Sequence, residues 1–172
     1  MRAAVAALSA ALDALSRLVV VTAGVALMAL VAATSWMVFG RYVLNDTPTW
    51  VERGALLSIL YIALPVAAVG IRERFHMSVE IVLVALPPGL RGAVRITTDL
   101  LLFGLGVVMM LHSWVLVTQM WAFNIPLVGL PQGLQFLPMT ICGGLMALFV
   151  VEHLLRRLAG LPPLGNPALG LD

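Results

Sequence analysis

Four long apolar segments fill most of this chain of 172 residues and restrict what it can fold into. They cover approximately residues 18–40, 54–71, 96–119 and 134–154. Each holds about 18 to 24 residues, which at about 1.5 Å per residue is enough to cross a hydrocarbon core roughly 30 Å thick. We therefore predict an all-α integral membrane protein in which four transmembrane helices form one bundle.

The composition agrees with a membrane protein, because 62% of the residues are hydrophobic and 10% are charged. A soluble domain of this size would lack the polar surface that it needs. We divide the chain into an Ala-rich cytoplasmic or interfacial segment at 1–17, a membrane domain at 18–157 and an irregular cytoplasmic tail at 158–172. The first apolar segment is too long for the core of a signal peptide, so we expect it to be retained as helix 1.

The positions of the arginines predict the orientation. Eight lie in the termini or between helices 2 and 3, namely Arg2, Arg17, Arg72, Arg74, Arg91, Arg95, Arg156 and Arg157. Arg41 and Arg53 lie on the other side. Because basic residues favour the cytoplasmic side, both termini are predicted to be cytoplasmic. The pI of 9.3 reflects a net charge of only +2, divided among interfacial clusters, so we expect no nucleic-acid partner.

The connection between helices 2 and 3 is predicted to lie along the cytoplasmic leaflet. Residues 78–86 are too few to span the membrane and carry charge at one edge, which favours a short interfacial helix between helices 2 and 3. We expect His76 to cap a carbonyl at the exit of helix 2. Four arginines flank this helix and form a predicted belt on lipid headgroups, each worth about 1 kcal/mol: Arg72, Arg74, Arg91 and Arg95.

Residues near the ends of the spans lead to three further expectations. Asp99 is the deepest acid that we identify, and its expected partner is Arg95 or an arginine between helices 2 and 3. At the outer side, Arg41 is expected to pair with Asp46 or Glu52, or to bind a lipid phosphate. The apolar outer loop at 121–135 should pack on protein or dip into the interface.

Backbone features of the spans lead to two more expectations. Pro65 removes a backbone donor and should kink helix 2. Gly104 and Gly143 are among the small residues that let helices approach closely.

Two alternative functions are open at this point. A haem-bearing membrane anchor of a respiratory complex would need a pair of imidazoles, and His76 and His153 are the pair that could share a depth. A self-sufficient small transporter would need an essential acid in the membrane, for which Asp99 is the candidate.

The single cysteine, Cys142, gives no disulfide framework. We expect no catalytic residues, no metal site and no cofactor.

Five short motifs, in order, resemble those of one family. They are Arg41-Tyr42-Val43-Leu44-Asn45, Trp50-x-Glu52, Arg72-x-Arg74-Phe75-His76-Met77-x-Val79-Glu80, Gly129-Leu130-Pro131 and Leu137-Pro138-Met139-Thr140. The family is that of the small, DctQ-like membrane subunits of tripartite ATP-independent periplasmic (TRAP) transporters. The resemblance extends over about 18–157. Arg53 departs from it, because the family often has a second acid there, and Pro65 has no counterpart that we can match.

The resemblance implies a non-catalytic small permease subunit in a bacterial or archaeal cytoplasmic membrane. Such a subunit forms a stable complex with a large membrane subunit, which carries the substrate and sodium sites. A periplasmic binding protein delivers the solute transiently, commonly an organic anion such as a carboxylate. Residues of the shared motifs are the expected contacts with the partner or with phospholipid: Arg41, Trp50, Glu52, His76, Glu80 and Pro138.

The predicted orientation can be tested with single cysteines in a Cys142→Ala background. Cysteines at Asn45 and Val128 should react with an impermeant maleimide added from outside. A cysteine at Arg74 should react only after the membrane is permeabilised. Labelling of the Arg74 position from outside would contradict the orientation.

Overall fold

A computed structural model of the chain describes residues 2–46, 49–73, 88–126, 129–158 and 160. Its helices are α1 (Arg2–Phe39), α2 (Thr49–Arg72), α3 (Pro88–Met120) and α4 (Leu137–Leu158). Each contains a stretch that is long and apolar enough to cross a membrane. The prediction of an all-α protein with four membrane-spanning helices is confirmed.

Helix α1 is longer than the predicted first span. It has 38 residues, which corresponds to about 57 Å at 1.5 Å per residue. The segment at 1–17, predicted as a separate cytoplasmic or interfacial segment, continues from Arg2 onwards into the span without a break. Val5, Ser9, Leu12 and Ser16 are buried, and their spacing of three or four residues places them on one face. Because this face packs on the other helices, the N-terminal segment belongs to the helical assembly.

The outer end of α1 closes in a wide turn. Residues Gly40–Leu44 form one π-helical turn, and the backbone N–H of Asp46 donates to the Gly40 carbonyl at 3.1 Å. Asn45 ends it in the left-handed conformation (φ 51°), which asparagine tolerates better than most residues. In the described part of this region no ion pair joins Arg41 to Asp46 or Glu52, and all three side chains are exposed.

The four helices form an open row in the order α1, α2, α4, α3. Helix α4 packs on both α2 and α3, and α1 packs along α2 while touching α4 more sparingly. The described parts of α3 have at most marginal contact with α1 and α2. In the most apolar window of α4, 39% of the residues are buried, against 6% in that of α1. Helix α4 is therefore the centre of the row, and α1 and α3 are its two edges.

Helices α3 and α4 approach each other closely at Gly106 and Gly143. A Cβ atom added at Gly143 would lie 2.5 Å from the Gly106 carbonyl oxygen and 2.7 Å from the Met110 backbone nitrogen. The predicted role of Gly143 is therefore observed. Gly104 does not share it, because nothing lies within 4 Å of a Cβ built there. Gly106, two residues further on and on the opposite side of α3, makes the contact.

The outer loop packs on protein, as expected. A 3-10 helix (Gln132–Gln135) lies against the end of α3, where a Cβ added at Gly133 would be 2.6 Å from the Val117 carbonyl oxygen. The Tyr61 hydroxyl donates to the Leu134 carbonyl at 3.0 Å. Because Tyr61 is twelve residues into α2, about 18 Å from its outer end, the loop dips below the outer ends of the helices. Pro65 lies inside α2, which continues through it.

Several predicted features lie outside the described residues. They are the interfacial helix at 78–86, Arg74, His76, Glu80 and the tail from 161 onwards. Arg91 and Arg95 lie in the first turns of α3, which begins earlier than the predicted span.

Candidate functional site

Polar side chains from three helices, most of them buried, meet at one end of the row. The residues are Ser9, Asp13 and Ser16 of α1, Arg72 of α2, and Glu152, His153 and Arg156 of α4, and we name them the Arg72 cluster. Arg72 is the last residue of α2, so the cluster lies at the end that the arginine distribution assigns to the cytoplasm.

The centre of the cluster is a two-point ion pair between α2 and α4. Nε of Arg72 donates to Oε2 of Glu152 at 2.8 Å, and Nη2 donates to Oε1 at 3.0 Å. Only 4% of Arg72 and none of Glu152 is exposed. Parallel charged hydrogen bonds of this kind are among the stronger ones in proteins, and they fix the relative position of the two side chains.

Helix α1 supplies the remaining acceptors for the guanidinium. Nη1 of Arg72 lies 2.7 Å from Oδ1 of Asp13 and donates to Oγ of Ser16 at 3.3 Å. Nη2 also donates to the carbonyl oxygen of Ser9, at 3.3 Å. Residues 9, 13 and 16 are spaced by four and three positions, so they share one face of the helix. A single arginine thus connects three helices.

Neighbouring groups enclose this arginine. Its Cζ lies 5.5 Å from the ring centroid of the buried Phe149, within the range of a cation–π contact. Nε2 of His153 lies 3.1 Å from the Arg72 carbonyl oxygen, which can only accept, so Nε2 carries the proton of this hydrogen bond. His153 therefore caps the end of α2, the role that the sequence analysis gives to His76. Nη1 of Arg156 donates to Oγ of Ser9 at 2.9 Å.

A second ion pair joins α3 to α4. Oδ2 of Asp99 lies 3.2 Å from Nη2 of Arg157, and both side chains are largely buried. Oδ2 has no well-directed hydrogen bond among the described residues, so the contact is mainly electrostatic. The partner differs from the expected one, because Arg157 belongs to the neighbouring helix, whereas Arg95 and the arginines after helix 2 were predicted.

The buried acids face arginines of neighbouring helices. Both oxygens of Glu152 accept hydrogen bonds from Arg72, and Asp99 faces Arg157. No group of three or more His, Cys, Asp or Glu side chains that could hold a metal occurs in the described ranges. The chemistry that this geometry supports is the joining of helices.

The other predicted contact residues occupy different environments. Arg41, Trp50 and Glu52 are exposed at or near the connection between α1 and α2, where they are open to a partner or to lipid. Pro138, by contrast, is fully buried near the start of α4 and does not reach the surface, unlike the expectation. Arg72 also requires a correction, since its guanidinium faces Glu152 inside the protein and not the lipid headgroups.

Glu152 is the residue that the sequence analysis missed. It follows Phe149, Val150 and Val151 in an apolar run. An acid in such a position needs a buried partner, and this need was a readable signal. The spacing of the polar residues in the first 17 residues was a second signal, because it places them on one face.

The chain matches a known protein family over most of its length. The DctQ component of tripartite ATP-independent periplasmic transporters matches residues 30–160. The chain belongs to this family. The matched region contains both Arg72–Glu152 and Asp99–Arg157. No curated protein matches the chain.

Membership of the DctQ family makes this chain a small permease subunit of a TRAP transporter. The family implies association with a large membrane subunit and a binding protein. Together with the four apolar helices, it identifies a multi-pass membrane protein that is a transporter component.

Proposed function

We propose that this DctQ-family chain is a non-catalytic scaffold for the large membrane subunit. The complex would take up an organic anion, a carboxylate, in symport with sodium across a bacterial or archaeal cytoplasmic membrane. A periplasmic binding protein would deliver the solute. The observation that carries the proposal is that the acids buried in the described helices are paired with arginines of neighbouring helices.

A transport site needs the opposite arrangement. Solutes and coupling ions bind where polar groups converge on a space with bonding capacity left over, often at interrupted helices near the midplane. Glu152 instead has both oxygens bonded to Arg72, at the end of α2. These contacts favour a subunit that keeps one shape while another subunit moves the solute.

The scaffold role is mechanical. An open row of helices extends a neighbouring protein sideways in the membrane. It thereby widens the stationary part of the transporter and resists local tilting and thinning of the bilayer. The exposed Arg41, Trp50 and Glu52 would contact the partner or headgroups at the outer side. Arg74, Arg91 and Arg95 would hold the other side at a fixed depth.

Reconstitution tests the proposal directly. We would prepare proteoliposomes containing this chain alone, the large subunit alone, or both, each with the binding protein, the carboxylate that it binds and an inward sodium gradient. Only the pair is expected to accumulate solute, because the solute and sodium sites are assigned to the large subunit and the stationary frame to this chain.

Each control separates the proposal from another function. Collapse of the sodium gradient with an ionophore should abolish uptake by the pair. Uptake by this chain alone would establish a self-sufficient transporter. Undiminished uptake by the large subunit alone would disprove the scaffold role. A Soret absorption band in the purified chain would indicate a haem-bearing anchor.

A further inference from the structure

The side of α3 that faces away from α4 carries a polar residue, His112, to which lipid chains could not supply a hydrogen bond. Exposed residues at intervals of three or four positions form one surface, which we name the α3 outer face: Leu101, Leu105, Val108, His112, Val115 and Gln119. His112 lies eight residues before the end of α3, about 12 Å along the helix. It also lies seven residues, about 10 Å, before the end of the predicted span at 96–119, so we expect it within the hydrocarbon region and not at headgroup level.

The hydrogen bonding of His112 leaves one nitrogen free. Nδ1 lies 3.0 Å from the Val108 carbonyl oxygen. A carbonyl can only accept, so Nδ1 carries the proton, and in the neutral ring Nε2 is then an acceptor. No hydrogen bond to Nε2 comes from any described residue. Acyl chains offer no donor, so Nε2 requires one from another protein in the membrane.

Two threonines on the other edge of the row differ in this respect. On α1, the hydroxyl of Thr22 donates to the Leu18 carbonyl at 2.8 Å, and that of Thr34 donates to the Leu30 carbonyl at 2.9 Å. These polar side chains are satisfied by their own helix. Within the four predicted spans, all of whose residues are described, His112 is the one exposed side chain among Asp, Glu, His, Lys and Arg.

The shape of α3 also permits close approach on this side. Gly104 lies one turn before Val108, and a Cβ built there would meet nothing within 4 Å. A glycine on an exposed side of a transmembrane helix lets a second helix come near. Gly104 and the unsatisfied nitrogen lie two turns apart, on the edge of the row that has no neighbour among the described residues.

We propose that the α3 outer face is the surface that docks on the large membrane subunit. In the complex, Nε2 of His112 accepts a hydrogen bond from a donor side chain on the facing transmembrane helix. This assignment rests on the proposed function, because that function supplies the partner. It specifies in addition which edge of the row the large subunit covers and which atom of this chain the large subunit recognises.

Photo-crosslinking in the purified complex tests the docking face. p-Benzoylphenylalanine would be introduced at Val108 or Val115 of α3 and, as a matched control, at Val25 or Met28 of α1, which are 65% and 75% exposed. The α3 positions should form adducts with the large subunit and the α1 positions should not. Adducts from α1 alone, or adducts of α3 only with lipid or with a second copy of this chain, would overturn the proposal.

Substitution of His112 tests the hydrogen bond separately. His112→Leu should weaken association with the large subunit about three- to tenfold, the effect of one hydrogen bond between membrane helices. His112→Gln, which keeps an acceptor, should restore part of it. The thermal midpoint of the isolated chain should not fall with His112→Leu, since His112 supports no other helix. Equal affinity of the Leu variant and the wild type would refute the role of His112.

The outcome distinguishes this proposal from the one on which it rests. If the wild-type chain does not co-purify with the large subunit, both fail. If it co-purifies but crosslinks through α1, only the assignment of the face fails.

Discussion

Glu152→Leu is expected to destabilise the isolated chain by about 3 to 5 kcal/mol, because it leaves Arg72 buried without its two-point partner. Arg72→Leu should do the same, since Glu152 is fully enclosed and would be left as an uncompensated acid. The thermal midpoint of the detergent-solubilised protein measures the effect. The double variant Arg72→Leu/Glu152→Leu should recover most of the loss, because two apolar side chains need no partner.

Asp13→Asn is the matched control for this cluster. Its carboxylate also contacts Arg72, but its side chain is 51% exposed, so its loss should cost only about 0 to 1 kcal/mol. If Glu152→Leu melts at the wild-type temperature, or if Asp13→Asn is as damaging as Glu152→Leu, the cluster does not hold the helices in the way that the distances indicate.

Gly143→Ala should destabilise the contact between α3 and α4 by about 1 to 3 kcal/mol, the usual cost of overpacking. The added methyl group would meet the Gly106 carbonyl oxygen and the Met110 backbone nitrogen, and neither can move without moving α3. The helices would have to separate along this line. We expect a lower thermal midpoint and weaker retention of α3, measured as easier proteolysis of the chain between α3 and α4 in detergent.

Gly144→Ala, one residue further on, provides the comparison. A Cβ there would meet only the Met110 Sδ, at 3.6 Å, an ordinary contact with a flexible side chain. Because alanine also favours the helix over glycine by about 1 kcal/mol, this variant should be neutral or slightly stabilised. Equal effects of the two alanines would show that backbone contact at Gly143 is not what joins the helices.

Length and hydropathy were sufficient to predict the four helices, because the bilayer requires about 20 apolar residues per span. The predicted ends of the helices were less accurate. Residues 2–17 and 155–158 extend the helices beyond the predicted spans, and their charged side chains Asp13, Arg156 and Arg157 find partners on neighbouring helices. A local pattern of apolar residues contains no information about such partners.

The lateral order of the helices could not be read from the sequence. All four segments are apolar around most of their circumference, so no stripe marks the inward side. For the same reason Gly104 was selected as a packing residue, whereas Gly106 makes the contact. The Arg72 cluster was missed because Arg72 was interpreted as a headgroup ligand, and Glu152 was left without an interpretation.

The central place of α4 has a consequence for biogenesis. Helices enter the membrane in chain order, and α3 inserts before α4, the helix on which its described residues pack extensively, has been made. Likewise, Arg72 is made and inserted before its partner Glu152, which lies 80 residues further along the chain. Native contacts between such distant positions form late and slowly. Until α4 arrives, the first three helices have no common neighbour, and its insertion is the step that converts them into one assembly.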